Sequence, residues 1–182
     1  ADDWRGAVDS YLGMPGIYQQ PEVEEFRQIW RESGDVEKCL EVIPKHLGFE
    51  RDMLQHLSKR PEDWIGAFRK LPNNLQLMMV HSLQSEAFNR IIASRLQAGL
   101  TLSEPIEGDV VGLVQDNGKI DMAKLVEVDS DILPRITRNC KRGRLAVTAA
   151  LPGGESTYSN SQPGDIEKQV LTDMDLMSED WQ

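Results

Sequence analysis

Five cations fall within ten residues at 135–144, RITRNCKRGR: Arg135, Arg138, Lys141, Arg142 and Arg144. Lysine and arginine at this density suit phosphate contact, because they carry the sequence-independent share of nucleic-acid affinity. Residues 132–154 hold these five cations and no acid, in a chain whose formal net charge is −10. Acid on both sides repels a polyanion elsewhere and so helps to fix its register on this island. The plainer reading is excess charge on a solvated loop, and no helix or strand is assigned to the stretch.

A second group of polar residues sits in VHSLQSEAFNR, 80–90. At about 100° per residue, Val80, Leu83, Ala87, Phe88 and Ile91 share one helical face, and Gln84 lies in the middle of it. Arg95 falls on the same stripe. Ser85 and Asn89 stack four residues apart on an adjoining edge, His81 lies beside Phe88 and Ile92, and Arg90 closes the run. A buried amide must be paired. Gln84 is therefore bonded to backbone or a neighbouring helix, or this face meets something polar.

Other chemistry finds little support. There is no GxSxG, HExxH or GxxxxGK[ST] pattern, and Gly153-Gly154 before Ser156-Thr157 reads as a plain turn. Cys39 and His46 are seven residues apart, which is not a zinc-ligand spacing, and no metal site is expected. Two cysteines make no disulfide framework, so a reduced, cytosolic setting is the default. No apolar run approaches the roughly 18–20 residues that span a bilayer, and ADDWRGAVDS lacks the pattern of a secretory signal. The residues by themselves assign no catalytic centre.

The elements that must position these groups follow from periodicity and punctuation. Asp3 caps a first helix through Leu12. Pro21 opens a second, a short third ends before Pro44, a fourth runs from about Lys45 to Lys59, and Pro61 opens a fifth. The sixth and longest spans Leu75 to Ala98. Asn117-Gly118 between β-branched runs in 107–128 predicts a hairpin. Residues 144–150 suit a strand, and Asp165 to Met174 a last helix. The fold class is α+β, a helical N-terminal half packed with a smaller β-rich C-terminal half. The chain reads as one domain, helical over 1–98, β-rich over 99–155, with a loop and final helix over 156–182.

Residues 71–111, LPNNLQLMMVHSLQSEAFNRIIASRLQAGLTLSEPIEGDVV, resemble the signature of the TruD family of tRNA pseudouridine synthases. Val80, His81, Gln84, Ser85, Phe88, Asn89 and Arg90 match its helix, and Gly108-Asp109-Val110-Val111 its following strand. WRGAVDSYLG, FERDMLQHLSKRPEDWIGAFRKLP, LPGGEST and GDIEKQVL extend the likeness over nearly the whole chain. The chain departs from the pattern at Leu83, where the family has Tyr, and at Glu86-Ala87, where it has Tyr-Leu. The family's catalytic Asp segment and its Asn-Tyr-Phe-Gly-x-Gln-Arg-Phe-Gly stretch do not occur here.

The resemblance implies an internal segment, mostly the domain inserted into the catalytic domain. Its partners would be tRNA and that catalytic domain, in the cytoplasm, without a cofactor. The parent would isomerise a uridine in tRNA to pseudouridine, and this segment alone would be inactive. The implied RNA-binding or cleft residues are His81, Gln84, Ser85, Asn89, Arg90, Arg95, Arg135, Arg138, Lys141, Arg142 and Arg144. The rival reading is a stand-alone helical module that binds protein through the 75–98 helix.

Overall fold

A helix starts where its first N–H groups find an acceptor, and Asp3 provides one. Its carboxylate accepts from Gly6 N at 2.8 Å and opens α1, Trp4–Gly13. The computed structural model of the protein describes residues 3–153, 156 and 158–176. The chain divides into two compact units, 1–79 and 80–182. The elements are α+β in class, with helices dominant and one three-stranded sheet in the second unit.

In the first unit, α2 (Pro21–Ser33) begins on Pro21 and ends at Gly34, whose φ of 60° lies in the left-handed region that stops a helix. Arg27 and Arg31 reach from α2 to the C-terminus of α1. They donate to the carbonyls of Tyr11, Leu12 and Gly13 at 2.8, 3.0 and 2.7 Å, which have no acceptor role inside the helix. Then come α3 (Val36–Val42), capped by Asp35, and α4 (Gly48–Lys59). Their apolar faces meet in a core that includes Val8, Leu12, Phe26, Met53, Leu54 and Ala67, all fully buried. Burial pushes the Cys39 thiol in this core up to about 11, with Asp35 adding to the shift. A thiol that stays protonated is a poor nucleophile.

The next helix, α5, spans Trp64–Phe68 and starts later than the position of Pro61 suggests. Glu62 has φ 68°, which breaks any helix running through it. Asp63 then caps α5, accepting from Gly66 N at 2.9 Å and pairing with His56 Nε2 at 2.8 Å. The long helix α6, Asn73–Gln97, passes through the division between the units.

The second unit holds β1 (Val110–Val114), β2 (Ile120–Glu127) and β3 (Leu145–Thr148), antiparallel in the order β2-β1-β3. Asn117-Gly118 makes the predicted turn, with Gly118 at φ 79° and the Asn117 side chain accepting from Lys119 N. The ladder slips within β2. Gly112 lies opposite Leu125 but Leu113 opposite Asp121, so Met122, Ala123 and Lys124 bulge outward. A Cβ on Gly112 would overlap the Ile120 side chain, so the absence of one admits this pairing.

The basic island is not a loop. Most of it forms α7, Leu133–Lys141, with Pro134 in the first turn. Leu133, Ile136 and Cys140 recur at helical spacing and pack with Val111, Val128 and Val147 of the sheet region. All five cations are exposed, and the density of charge hides the apolar periodicity. The last helix, α8, spans Gln162–Asp173 and starts earlier than Asp165 because Pro163 suits its first turn. Of the turn read at 153–157, Gly154, Glu155 and Thr157 lie outside the described residues.

Candidate functional site

Gln84 has an internal partner. Its Nε2 donates to the carbonyl of Pro152 at 2.7 Å, and Pro152 is buried. Ala87, Ile91 and Arg95, buried at i, i+4 and i+8, continue the line that Gln84 begins. Val80 and Leu83 are 44% and 40% exposed, so the covered stripe is narrower than the helical wheel suggests. Gln84→Ala should lower stability by about 1–3 kcal/mol, the cost of leaving a buried carbonyl unpaired. Urea denaturation of the variant checks this; an unchanged midpoint would mean that water replaces the amide.

Arg95 and Asp109 form the most buried polar pair of the unit, with 7% and 2% of their surface exposed. The guanidinium grips the carboxylate with both ends, at 2.6 and 2.8 Å, and its Nε donates to Thr101 O at 3.1 Å. Asp109 also accepts from Ile106 N at 2.8 Å. Arg95, a phosphate or cleft candidate by sequence, ties α6 to the start of β1, its guanidinium donating to internal acceptors. The Gly108-Asp109 pair has a physical reason as well. Gly108 has φ 85°, and a Cβ there would collide with the Ser161 hydroxyl. Only glycine fits both constraints.

The other α6 candidates are exposed. Ser85 Oγ donates to the His81 carbonyl at 2.8 Å, a bond along its own helix. Arg90 pairs with Glu86 at 2.7 Å, where solvent screening leaves little net energy. The side chains of His81 and Asn89 stand on the surface.

Sequence reasoning missed Glu167 on α8. Burial is the main cause that holds its carboxyl above the usual range, and the charge of Asp109 adds to it. The Ala150 N–H at 3.4 Å, Arg95 and Lys168 offset this only in part. A raised folded-state value means that ionisation opposes folding. Stability relative to the uncharged side chain is full below the ordinary carboxylate range and falls as pH rises through the folded value. Glu167→Gln should therefore melt higher than the parent near neutral pH and converge with it in acid. Thermal midpoints across that range test the sign; equal midpoints at every pH would show that Glu167 titrates normally. The residue lies in GDIEKQVL, a segment of the family likeness, but its environment includes the charge of Asp109, 58 positions earlier in the chain.

The island presents its cations outward. Arg135, Arg138, Arg142 and Arg144 are exposed and have no ion-pair partner among the described residues, whereas Lys141 pairs with Glu104 at 3.1 Å. Arg135, Arg138 and Arg142 recur at i, i+3 and i+7 and so form one stripe along α7. Arg144 follows directly at the entrance to β3. Among the described residues, no hydrogen bond or ion pair joins this stripe to His81, Ser85, Asn89 or Arg90. The sequence candidates thus separate into a polar helix edge, an internal lock and a row of free cations. The last is suited to a polyanion.

Comparison with known proteins identifies the family. The family model described as tRNA pseudouridine synthase D (TruD) matches residues 1–182. A Methanosarcina acetivorans protein named as a tRNA pseudouridine synthase D is 36% identical over 164 residues, 90% of this chain and 37% of its own length. Its Halobacterium salinarum counterpart is 34% identical over 189 residues, covering 99% of this chain and 42% of its own. A crystal structure of the Methanosarcina mazei TruD protein superposes with a TM-score of 0.90 at 35% identity, over 97% of this chain and 40% of that one. The chain therefore spans about two fifths of the length of the relatives it matches. With the family model matched from end to end and the fold shared with a solved member, the chain belongs to the tRNA pseudouridine synthase D (TruD) family.

Proposed function

We propose that this chain is the tRNA-gripping, inserted TRUD-type domain of a pseudouridine synthase, with all of 1–182 acting as that one domain. The observation that carries the reading is the row Arg135, Arg138 and Arg142 with Arg144 beyond it, exposed and unpaired in a chain with 30 acids and 20 basic residues. In the whole protein the reaction isomerises a uridine of tRNA to pseudouridine without a cofactor. Uracil is detached, turned and rejoined through carbon. The target base leaves its stack to be reached, and cations on the backbone hold the flanking strand while it does so.

The catalytic carboxylate belongs to the other domain in this reading. The chain by itself grips RNA but does not isomerise it, and it works in the cytoplasm against that domain. His81, Ser85 and Asn89, exposed on one edge of α6, are the groups left for the cleft.

Fluorescence anisotropy of labelled tRNA with this chain at two salt concentrations tests the reading. Affinity should fall by about 0.7–0.9 in log K per log salt for each phosphate neutralised. A folded chain that shows no salt-sensitive binding would remove the RNA-gripping role, while leaving family membership intact.

A further inference from the structure

Residues 80–182 contain ten lysines and arginines. Five are occupied. Arg95 is locked on Asp109, Arg90 pairs with Glu86, Lys124 with Asp121 and Lys141 with Glu104, and Lys168 donates to Ser159 O and Asn160 Oδ1. The other five, Lys119, Arg135, Arg138, Arg142 and Arg144, are exposed and have no hydrogen-bond or ion-pair partner for their side chains among the described residues. Four of these lie within the basic island, but Lys119 is far from it in sequence, at the foot of the β1–β2 hairpin.

The sheet brings the backbones of Lys119 and Arg144 to the same end of β1. Val114 N donates to Arg144 O at 3.0 Å, and Gln115 N donates to Lys119 O at 2.8 Å. Arg144 and Lys119 therefore flank consecutive residues of β1, one on each side. Two strand spacings separate their backbones, about 9–10 Å. The C-terminus of α7 leads through Arg142 and Gly143 into Arg144, so the stripe on α7 ends at this same edge of the sheet. The only acid in the turn 115–119 is Asp116. Elsewhere in the unit the cations have internal partners, whereas these five have none among the described residues.

We propose that the hairpin foot is part of the RNA surface, with Lys119 a phosphate-contacting residue that extends the row Arg135–Arg138–Arg142–Arg144 across the open end of the sheet. This rests on the RNA-gripping role proposed above. The ligand is the sugar-phosphate backbone of structured RNA, followed along a continuous row of cations rather than met at one island.

The test is the salt dependence of tRNA binding by the 182-residue chain and by three variants, Lys119→Gln, Lys124→Gln and Arg138→Gln, each confirmed as folded by circular dichroism. Lys119→Gln should weaken binding about tenfold at fixed salt and lower the slope of log K on log salt by about 0.7–0.9, one phosphate contact. Lys124→Gln changes the same charge on the same hairpin but removes an ammonium already held by Asp121, and should match the parent. A parent-like Lys119→Gln beside a weakened Arg138→Gln would overturn this inference and keep the RNA role. Equal losses from Lys119→Gln and Lys124→Gln would also overturn it, since net charge alone would then explain them. Absence of salt-sensitive binding in the parent would defeat the role itself and this inference with it.

Discussion

Replacing Arg135, Arg138 and Arg142 together by glutamate should abolish tRNA binding by this chain, a loss of more than about a hundredfold. The size follows from position. All three are exposed on one stripe of α7 and none has a carboxylate partner among the described residues. Each reversal removes an attraction and adds a repulsion along the same phosphate row. Lys141 is left out because Glu104 already holds it at 3.1 Å. The cost to folding should be small but not nil. Arg138 lies in the last turn of α7 and Arg142 caps it, so acids there oppose the helix dipole by about 0.3–1 kcal/mol each. The triple glutamine variant avoids that penalty and isolates the lost contacts. It should bind weakly with a flatter salt dependence and a nearly unchanged melting temperature. Full affinity in the glutamate variant would exclude α7 from the RNA surface.

Arg95→Ala should destabilise the protein by about 3–5 kcal/mol, the range for breaking a buried pair from one side. The loss is large because of what stays behind. Asp109 is 2% exposed and would be left buried without the fork that pairs it. Thr101 O would lose its donor as well. A second carboxyl, Glu167, lies close enough for the charge of Asp109 to raise its pKa. Removal of the arginine therefore takes away a cation that acts on both carboxyls. Adding Asp109→Asn should restore much of the stability, since no ionised group would then be stranded. Urea denaturation followed by circular dichroism, with amide exchange at Val111 and Val114 of β1, measures both steps. If the double variant is no better than Arg95→Ala, shape and not charge is what the pair provides. A domain is stable by only about 5–15 kcal/mol, so this one change should remove a sizeable share.

Local signals in the sequence were enough to determine most of the elements. Asp3 beside Gly6 opens a helix, Gly34 closes one, and Asn117-Gly118 turns a hairpin, because each acts over a few residues through its own backbone conformation or side-chain oxygen. The α+β class follows from those signals, and the family follows from the residues of 71–111 together with their neighbours. The helix over the basic island escaped the reading because five cations in ten residues suggest solvation. Its apolar face needs only Leu133, Ile136 and Cys140, and becomes a face once Val111 and Val128 lie beneath it.

The roles of the polar residues were decided by tertiary structure alone. Gln84 and Arg95 look alike on a helical wheel, as polar groups on an apolar stripe. Their partners, Pro152 and Asp109, lie 68 and 14 residues further along the chain. A hydrogen bond depends on distances of about 3 Å, and one-dimensional spacing cannot supply them. The same limit hid Lys119, whose backbone flanks β1 on the side opposite Arg144. Sequence determines which residues carry charge; the fold determines which of those charges are already answered inside the molecule and which remain for a ligand.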